Sequence, residues 1–145
     1  MNWKKAAIED LQRYNGLKAS LMNIPERIES LTCKKNSVQG VQTDKIQTSG
    51  GSGNYDGFLV DSMVEIKRLE YLLAANKILV DLIEKGLDDL HDKERKVLEK
   101  FYINRYYGYI DDLMQELCIE QSQVYRLKDR ALEKFVCFMY GIEDY

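Results

Sequence analysis

The sequence contains very little proline, histidine and cysteine for a chain of 145 residues. Its single proline excludes collagen-like and proline-rich extended chains. Because proline is the residue that most strongly interrupts an α-helix, its scarcity also favours a largely helical protein. The one histidine and three cysteines show no C-x-x-C or H-x-x-x-H spacing, so the sequence contains no zinc-binding motif.

Further absences argue against catalysis and against a membrane. Residues 50–53 are rich in glycine, but they lack the lysine of a phosphate-binding P-loop. With one histidine and no nucleophile motif, the sequence predicts a protein that is not an enzyme and has no cofactor or metal. No uncharged apolar run approaches the roughly 18 residues of a membrane helix. The odd number of scattered cysteines is typical of a reducing compartment, so we expect a cytoplasmic protein without a membrane partner.

Hydrophobic residues (45%) and charged residues (31%) are abundant, enough to form a core and to cover it with charge. Residues 1–31 carry apolar side chains spaced three and four apart, as in an amphipathic helix. Pro25 is expected to kink or restart this helix, since proline lacks an N–H donor. From residue 33 to residue 57 Ser, Thr, Asn, Gln and Gly dominate, which predicts a flexible Gly/Ser-rich connector.

The clearest periodic pattern is a heptad seam of ten residues spaced alternately three and four apart. Its helix is expected to end or bend near Gly86. The seam has two compatible interpretations. It folds back on residues 1–31 as an antiparallel, coiled-coil-like hairpin, or it pairs with a second copy in a homodimer through residues 59–90. The seam residues are Leu59, Ser62, Ile66, Leu69, Leu73, Asn76, Val80, Ile83, Leu87 and Leu90.

Three shorter helices are predicted after residue 90, over residues 92 to about 104, roughly 110 to 117, and 121 to about 140. Only residues 118–120 join the last two, a length typical of a helix-turn-helix. The predicted architecture is therefore all-α, with a helical hairpin over residues 1–90 and a helix-turn-helix domain over residues 91–145.

This C-terminal part resembles the fourth conserved region of bacterial sigma factors. Residues 90–98, Leu-His-Asp-Lys-Glu-Arg-Lys-Val-Leu, are similar to the L-x-x-x-E-R-x-V-L opening of that region. With its helical N-terminal half and its ending over residues 124–135, the chain also resembles small phage and prophage regulators, the ArpU- and RinA-type late-gene activators. The resemblance implies a three-helix, sigma-region-4-like fold and RNA polymerase as a partner. The residues at the core positions of that region are Leu113, Glu116, Leu117, Ile119, Val124, Leu127, Ala131 and Leu132.

The last predicted helix has one apolar face and one polar face. In a helix-turn-helix the polar N-terminal end of this helix meets the base edges in the major groove. Gln pairs with adenine, Arg with guanine, and Ser with either kind of base. We therefore predict double-stranded DNA as the partner, with base contacts from Gln121, Ser122, Tyr125 and Arg126, and phosphate contacts from Arg105, Lys128, Arg130 and Lys134. The predicted inward face consists of Val124, Leu127, Ala131, Leu132 and Phe135.

Two residues depart from the pattern of such turns. Cys118 stands where glycine with positive φ is usual, and Glu120 stands at the helix cap, where Ser or Thr is usual.

The predicted DNA-binding domain also has no positive net charge. Residues 91–145 contain nine Lys/Arg against eleven Asp/Glu, although residues 121–134 contain four against two. Such a domain is expected to bind DNA weakly alone and to need dimerisation or a second protein.

Tyr102, Tyr106, Tyr107 and Tyr109 are crowded beside Arg105. They form either a stacking platform for single-stranded nucleic acid or a wedge between helices, and we expect the second. The predicted function is sigma-factor-like, DNA-binding regulation of transcription initiation in a phage or prophage. The alternative is a helical interaction or scaffold protein, such as a polymerase-binding adaptor, without specific DNA readout.

Overall fold

The computed structural model describes the backbone of residues 1–43 and 52–143 and the side chains of residues 1–37 and 57–143. The described residues form helices and no β-strand, so the predicted all-α class is confirmed for this part of the chain. Its α-helices are α1 (Trp3–Thr43), α2 (Ser52–Asp88), α3 (Asp92–Leu98), α4 (Tyr109–Leu117) and α5 (Gln121–Tyr140), and a π-helical segment (Glu99–Ile103) continues α3.

Helices α1 and α2 extend into the segment predicted as a flexible connector, residues 33–57. Helix α1 continues to Thr43 and α2 begins at Ser52, so the structure differs from that prediction over residues 33–43 and 52–57. The remaining part, residues 44–51, lies outside the described residues. Adding a residue to an existing helix is much easier than starting one, so polar residues can prolong a helix that is stabilised elsewhere.

Of the two outcomes expected at Pro25, a kink or a restart, the structure excludes the restart, since α1 is continuous from Trp3 to Thr43. The missing N–H of Pro25 leaves the carbonyl of Leu21 without its helical partner. Pro25 is exposed, so water can hydrate that carbonyl and the helix continues.

Two compact units divide the chain differently from the predicted boundary at residue 90. A terminal unit joins Met1–Leu17 to Ile78–Tyr145, and a middle unit comprises Lys18–Lys77. The reason is that the first turns of α1 and the last turns of α2 share the core of the three short helices. The buried apolar residues of the terminal unit are Ala7, Leu11, Leu17, Val80, Ile83, Leu87, Leu90, Val97, Leu98, Phe101, Leu113, Val124, Ala131, Leu132, Phe135 and Val136.

The start of α1 is also bound to α5 within the terminal unit. The rings of Trp3 and Tyr140 lie 5.0 Å apart, and the Tyr140 hydroxyl donates to Asp10 Oδ2 at 2.8 Å. Burial and this hydrogen bond raise the pKa of Tyr140 to about 12. The N-terminal residues therefore belong to the same folded unit as the three short helices.

The heptad seam of α2 turns inward. All ten seam residues are buried or half-buried, whereas most other described residues of α2 are exposed. In the middle unit, Asn76 Nδ2 donates to Ser20 Oγ at 3.0 Å. In the terminal unit, the Tyr14 hydroxyl donates to Glu84 Oε1 at 2.7 Å. Helices α1 and α2 thus contact each other within one chain, while the homodimer stays a prediction.

Gly86 does not end α2, which continues to Asp88. A Cβ at this position would lie 2.9 Å from Phe135 Cε2 and 3.2 Å from Met139 Sδ. Phe135 is fully buried. Glycine is therefore required here because α2 and α5 approach closely.

Candidate nucleic-acid interface

Helices α4 and α5 are joined by a sharp turn over residues 118–120. Cys118 adopts φ 54° and ψ 44°, the left-handed region in which such turns usually have glycine. The left-handed conformation costs a residue other than glycine roughly 1–2 kcal/mol, because its Cβ comes too close to the backbone. The Ile119 N–H donates to the Met114 carbonyl at 3.2 Å and closes the end of α4. Cys118 is exposed, so the turn accepts its side chain without a clash in the core.

The start of α5 is fixed by its own cap. Glu120 has extended geometry (φ −78°, ψ 161°) and precedes the first helical residue, as predicted. The Glu120 N–H donates to Gln123 Oε1 at 3.3 Å. Gln123 therefore satisfies an N–H group that the end of a helix would otherwise leave unpaired.

A shared core holds α3, α4 and α5 together. It contains Val97 of α3, Phe101 of the π-helical segment, Leu113 of α4 and Val124 of α5. The five residues predicted for the inward face of α5 are all buried or half-buried. The predicted inward face is therefore confirmed.

Glu116 is exposed, although the resemblance placed it among core positions. Its carboxylate forms ion pairs with Lys100 at 2.8 Å and with Lys96. The hydrogen bonds from Lys100 and Lys96 lower the pKa of Glu116 to about 2. Glu116 thus connects α4 to α3 and to the π-helical segment through charge.

All four predicted base-contacting residues, Gln121, Ser122, Tyr125 and Arg126, are exposed on the first two turns of α5. Tyr125 is partly engaged, because its ring packs edge-on against Phe101 at 5.8 Å. The other three side chains are polar and exposed at the surface.

Arg126 and Arg130 line an open groove of about 360 Å³ together with Ile119, Gln123 and Leu127. They lie one helical turn apart and are exposed. Neither guanidinium forms a hydrogen bond or ion pair with the described residues. Their donors are therefore available to a partner that carries acceptor groups.

Lys128, on a different side of α5, is half-buried. Its ammonium lies 5.6 Å from the Phe101 ring and 5.8 Å from the Tyr125 ring, and 2.8 Å from Asp129 Oδ1. Burial lowers the pKa of Lys128, but the hydrogen bond to Asp129 and the nearby Tyr102 and Tyr125 raise it overall. Lys128 thus stays charged beside an aromatic cluster.

Lys134, also predicted to contact phosphate, has a partner within the protein. Its ammonium lies 2.7 Å from Oε1 of Glu94, a buried carboxylate whose Oε2 has no hydrogen-bond partner among the described residues. The charge of Lys134 therefore compensates a buried charge, a role that the sequence analysis missed. A glutamate next to Lys93 and Arg95 has the local pattern of a solvated residue, and its burial and its pairing with Lys134 of α5 appear only in the folded chain.

Arg105 precedes α4, and its guanidinium carbon lies 4.9 Å from the centre of the Tyr109 ring. Tyr109 and Tyr125 both pack against Phe101. The structure thus gathers Arg105, Tyr125 and Lys128 around one aromatic cluster, and it places Arg126 and Arg130 along a separate groove.

The outward row of α5 becomes acidic after its second turn. Ser122 and Arg126 are followed on the same face by Asp129 and Glu133. Asp129 pairs with Lys128, and Glu133 lies 3.4 Å from Lys4 of α1. The polar, basic surface of α5 is therefore confined to its N-terminal part.

Within residues 1–43 and 52–143, no group of three or more His, Cys, Asp and Glu residues is placed to hold a metal ion. No helix in that same part of the chain is long and apolar enough to cross a bilayer. Comparison of the chain with protein-family models, with curated proteins and with solved structures gave no match.

Proposed function

We propose that this protein is a DNA-binding regulator of transcription initiation, in which α4, residues 118–120 and α5 act as a helix-turn-helix. The observation that carries the proposal is the pair of exposed arginines at the start of α5, Arg126 and Arg130, which have no partner among the described residues. Unpaired guanidinium groups in this position match the bidentate acceptors of guanine and the oxygens of phosphate.

In the proposed complex the first two turns of α5 enter the major groove. Gln121, Ser122 and Arg126 reach base edges. Lys128 and Arg130 are two residues apart on a helix, which places them on roughly opposite flanks, where each meets one phosphate strand. Glu133 opposes phosphate, so the C-terminal half of α5 stays outside the groove.

The resemblance to sigma region 4 and to ArpU- and RinA-type regulators supports the same assignment. It adds RNA polymerase as a partner and a phage or prophage setting in the cytoplasm. The α1–α2 part would form an antiparallel hairpin that carries association, because its seam contacts α1 within the chain.

The test is to select duplexes from a random-sequence pool with the full chain, and then to titrate selected and scrambled duplexes at two salt concentrations. Gln121→Ala combined with Arg126→Ala is expected to remove the preference for the selected duplex, since each bidentate contact contributes about 1–3 kcal/mol of discrimination. Arg27→Ala, which removes the same charge from exposed α1, is the control. If no duplex is enriched and the two variants bind alike, with and without polymerase, the proposal fails.

The second candidate is the polymerase-binding scaffold without DNA readout. Exposed apolar side chains on the middle part of α2 favour it, with Tyr71 at 76%, Val60 at 57% and Val64 at 54% exposure. This function predicts polymerase binding that Tyr71→Asp abolishes and that the α5 variants leave intact.

A further inference from the structure

Two tyrosines in the loop before α4, Tyr106 and Tyr107, and the first residue of α4, Tyr109, have different surroundings. The Tyr106 hydroxyl donates to Asp112 Oδ2 at 2.5 Å. Tyr109 packs edge-on against Phe101, with ring centres 5.0 Å apart. Tyr107 is fully exposed and forms no hydrogen bond or ring contact with the described residues. Tyr106 and Tyr109 therefore anchor the loop, and Tyr107 does not.

The loop that carries Tyr107 is held from both sides. Asn15 Nδ2 of α1 donates to the Ile103 carbonyl at 3.0 Å and to Asn104 Oδ1 at 3.1 Å. On the other side the Tyr109 N–H donates to the Tyr106 carbonyl at 3.2 Å. Gly108 supplies the positive φ of 82° that this turn requires. Tyr107 is thus presented to solvent from an anchored backbone.

Residues 105–109 line an open cavity of about 400 Å³. Three tyrosine side chains and Arg105 contribute to its walls. The Arg105 guanidinium carbon lies 4.9 Å from the centre of the Tyr109 ring, a contact that leaves N–H donors of the guanidinium to meet an anion. Aromatic faces beside a free guanidinium suit a flat ring that carries a nearby negative charge, which describes a nucleotide.

The cavity is linked to the proposed reading helix through Phe101, because Tyr109 in the cavity wall and Tyr125 of α5 both pack edge-on against that ring, at 5.0 and 5.8 Å. We infer that the segment of residues 105–109 is a second DNA contact, in which an unstacked base lies on Tyr107 and its phosphate meets Arg105. This inference rests on the proposed function for the DNA that α5 binds. It extends the site from paired DNA to a strand that is opened next to the duplex.

The experiment compares two fluorescently labelled probes of the same sequence, a fully paired DNA duplex and one with a short single-stranded gap, by anisotropy with the full chain. Tyr107→Ala is expected to weaken binding to the gapped probe roughly 5- to 150-fold, the effect of losing one base–aromatic stack. Tyr107→Phe should keep the affinity, because stacking needs the ring and not the hydroxyl. Binding of the paired probe and the helicity of both variants should stay at the wild-type level, since the side chain is fully exposed.

The outcomes separate this inference from the proposed function. If Tyr107→Ala binds the gapped probe as wild type does, or if Tyr107→Phe loses as much as Tyr107→Ala, the inference is overturned while duplex binding stands. If the wild type binds the gapped probe through Tyr107 but binds no paired duplex, the inference holds and the proposed function fails. If neither probe binds, both are overturned.

Discussion

Individual cations on α5 differ in whether their charge is used inside the protein. Lys134 compensates the buried Glu94, and Lys128 lies against two aromatic rings. Arg126 and Arg130 have no such partner among the described residues. The sequence contains four positive charges between residues 121 and 134, and the structure shows that two of them have partners within the protein.

Lys134→Ala is therefore expected to affect the stability of the fold, and Arg130→Ala is expected to affect DNA binding. Lys134→Ala leaves Glu94 buried and unpaired, so it should lower the free energy of unfolding by about 1–3 kcal/mol. Arg130→Ala should change stability by less than about 0.5 kcal/mol. It should weaken DNA binding for all sequences and reduce the slope of its salt dependence by about one. Urea denaturation and salt titrations of both variants give the answer, and equal denaturation midpoints would contradict the role of Lys134.

Gly86 is a glycine because α5 packs closely against α2 at this position. Alanine is favoured over glycine in a helix by roughly 0.8–1 kcal/mol, but here its Cβ would lie 2.9 Å from buried Phe135. We expect Gly86→Ala to destabilise the protein by about 1–3 kcal/mol in thermal or urea unfolding. Gly16→Ala is the matched control, since no atom lies within 4 Å of its added Cβ. If both variants gain stability, the close approach of α2 to α5 is wrong.

At the scale of elements, α2 carries an inward row and an exposed apolar row. Within its last turns Val80 is 2% exposed and Ile78 is 61% exposed. The inward row is the heptad seam, which packs within the chain. The outer row has no packing partner among the described residues, and it includes Val60, Val64, Tyr71 and Ile78. The inward row therefore serves packing within the chain, and we expect the predicted homodimer to use the exposed row.

The pair Val80→Asp and Ile78→Asp tests this separation. Val80→Asp buries a carboxylate and should lower the free energy of unfolding by about 3 kcal/mol or more. Ile78→Asp should cost less than about 1 kcal/mol, because its side chain stays in water. Helicity and sedimentation are measured together. A folded Ile78→Asp chain that sediments more slowly than wild type places the homodimer contact on the outer row, and equal stability of the two variants would show that the row assignment is wrong.

At the scale of the whole molecule, α3, α4 and α5 do not form a compact unit by themselves. Their core includes Ala7 and Leu11 of α1 and Ile83 and Leu87 of α2. Cutting the chain at residue 90 would expose this apolar surface to water. The exposure would lower the free energy of unfolding by about 25 cal/mol for each Å² of apolar surface. The terminal unit therefore needs both ends of the chain.

The fragment of residues 91–145 is accordingly expected to lack cooperative unfolding, whereas the full chain melts in a cooperative transition. Circular dichroism during heating measures both. A fragment that joins residues 1–17 to residues 78–145 through a short flexible linker is the positive control, because it contains the whole terminal unit. Cooperative melting of the fragment 91–145 at the temperature of the full chain would contradict the shared core.

The sequence by itself determined the features that depend on local periodicity. Helix α5 begins at Gln121 and ends at Tyr140 as predicted, the heptad seam turns inward, and residues 118–120 join α4 to α5. These follow from residues a few positions apart, because helical spacing and turn geometry are set by near neighbours. Only the tertiary structure decided that the N-terminal turns belong to the same unit as α5, that Gly86 serves packing, and which cations are free. Each of these depends on residues that are far apart in sequence and meet only when the core forms.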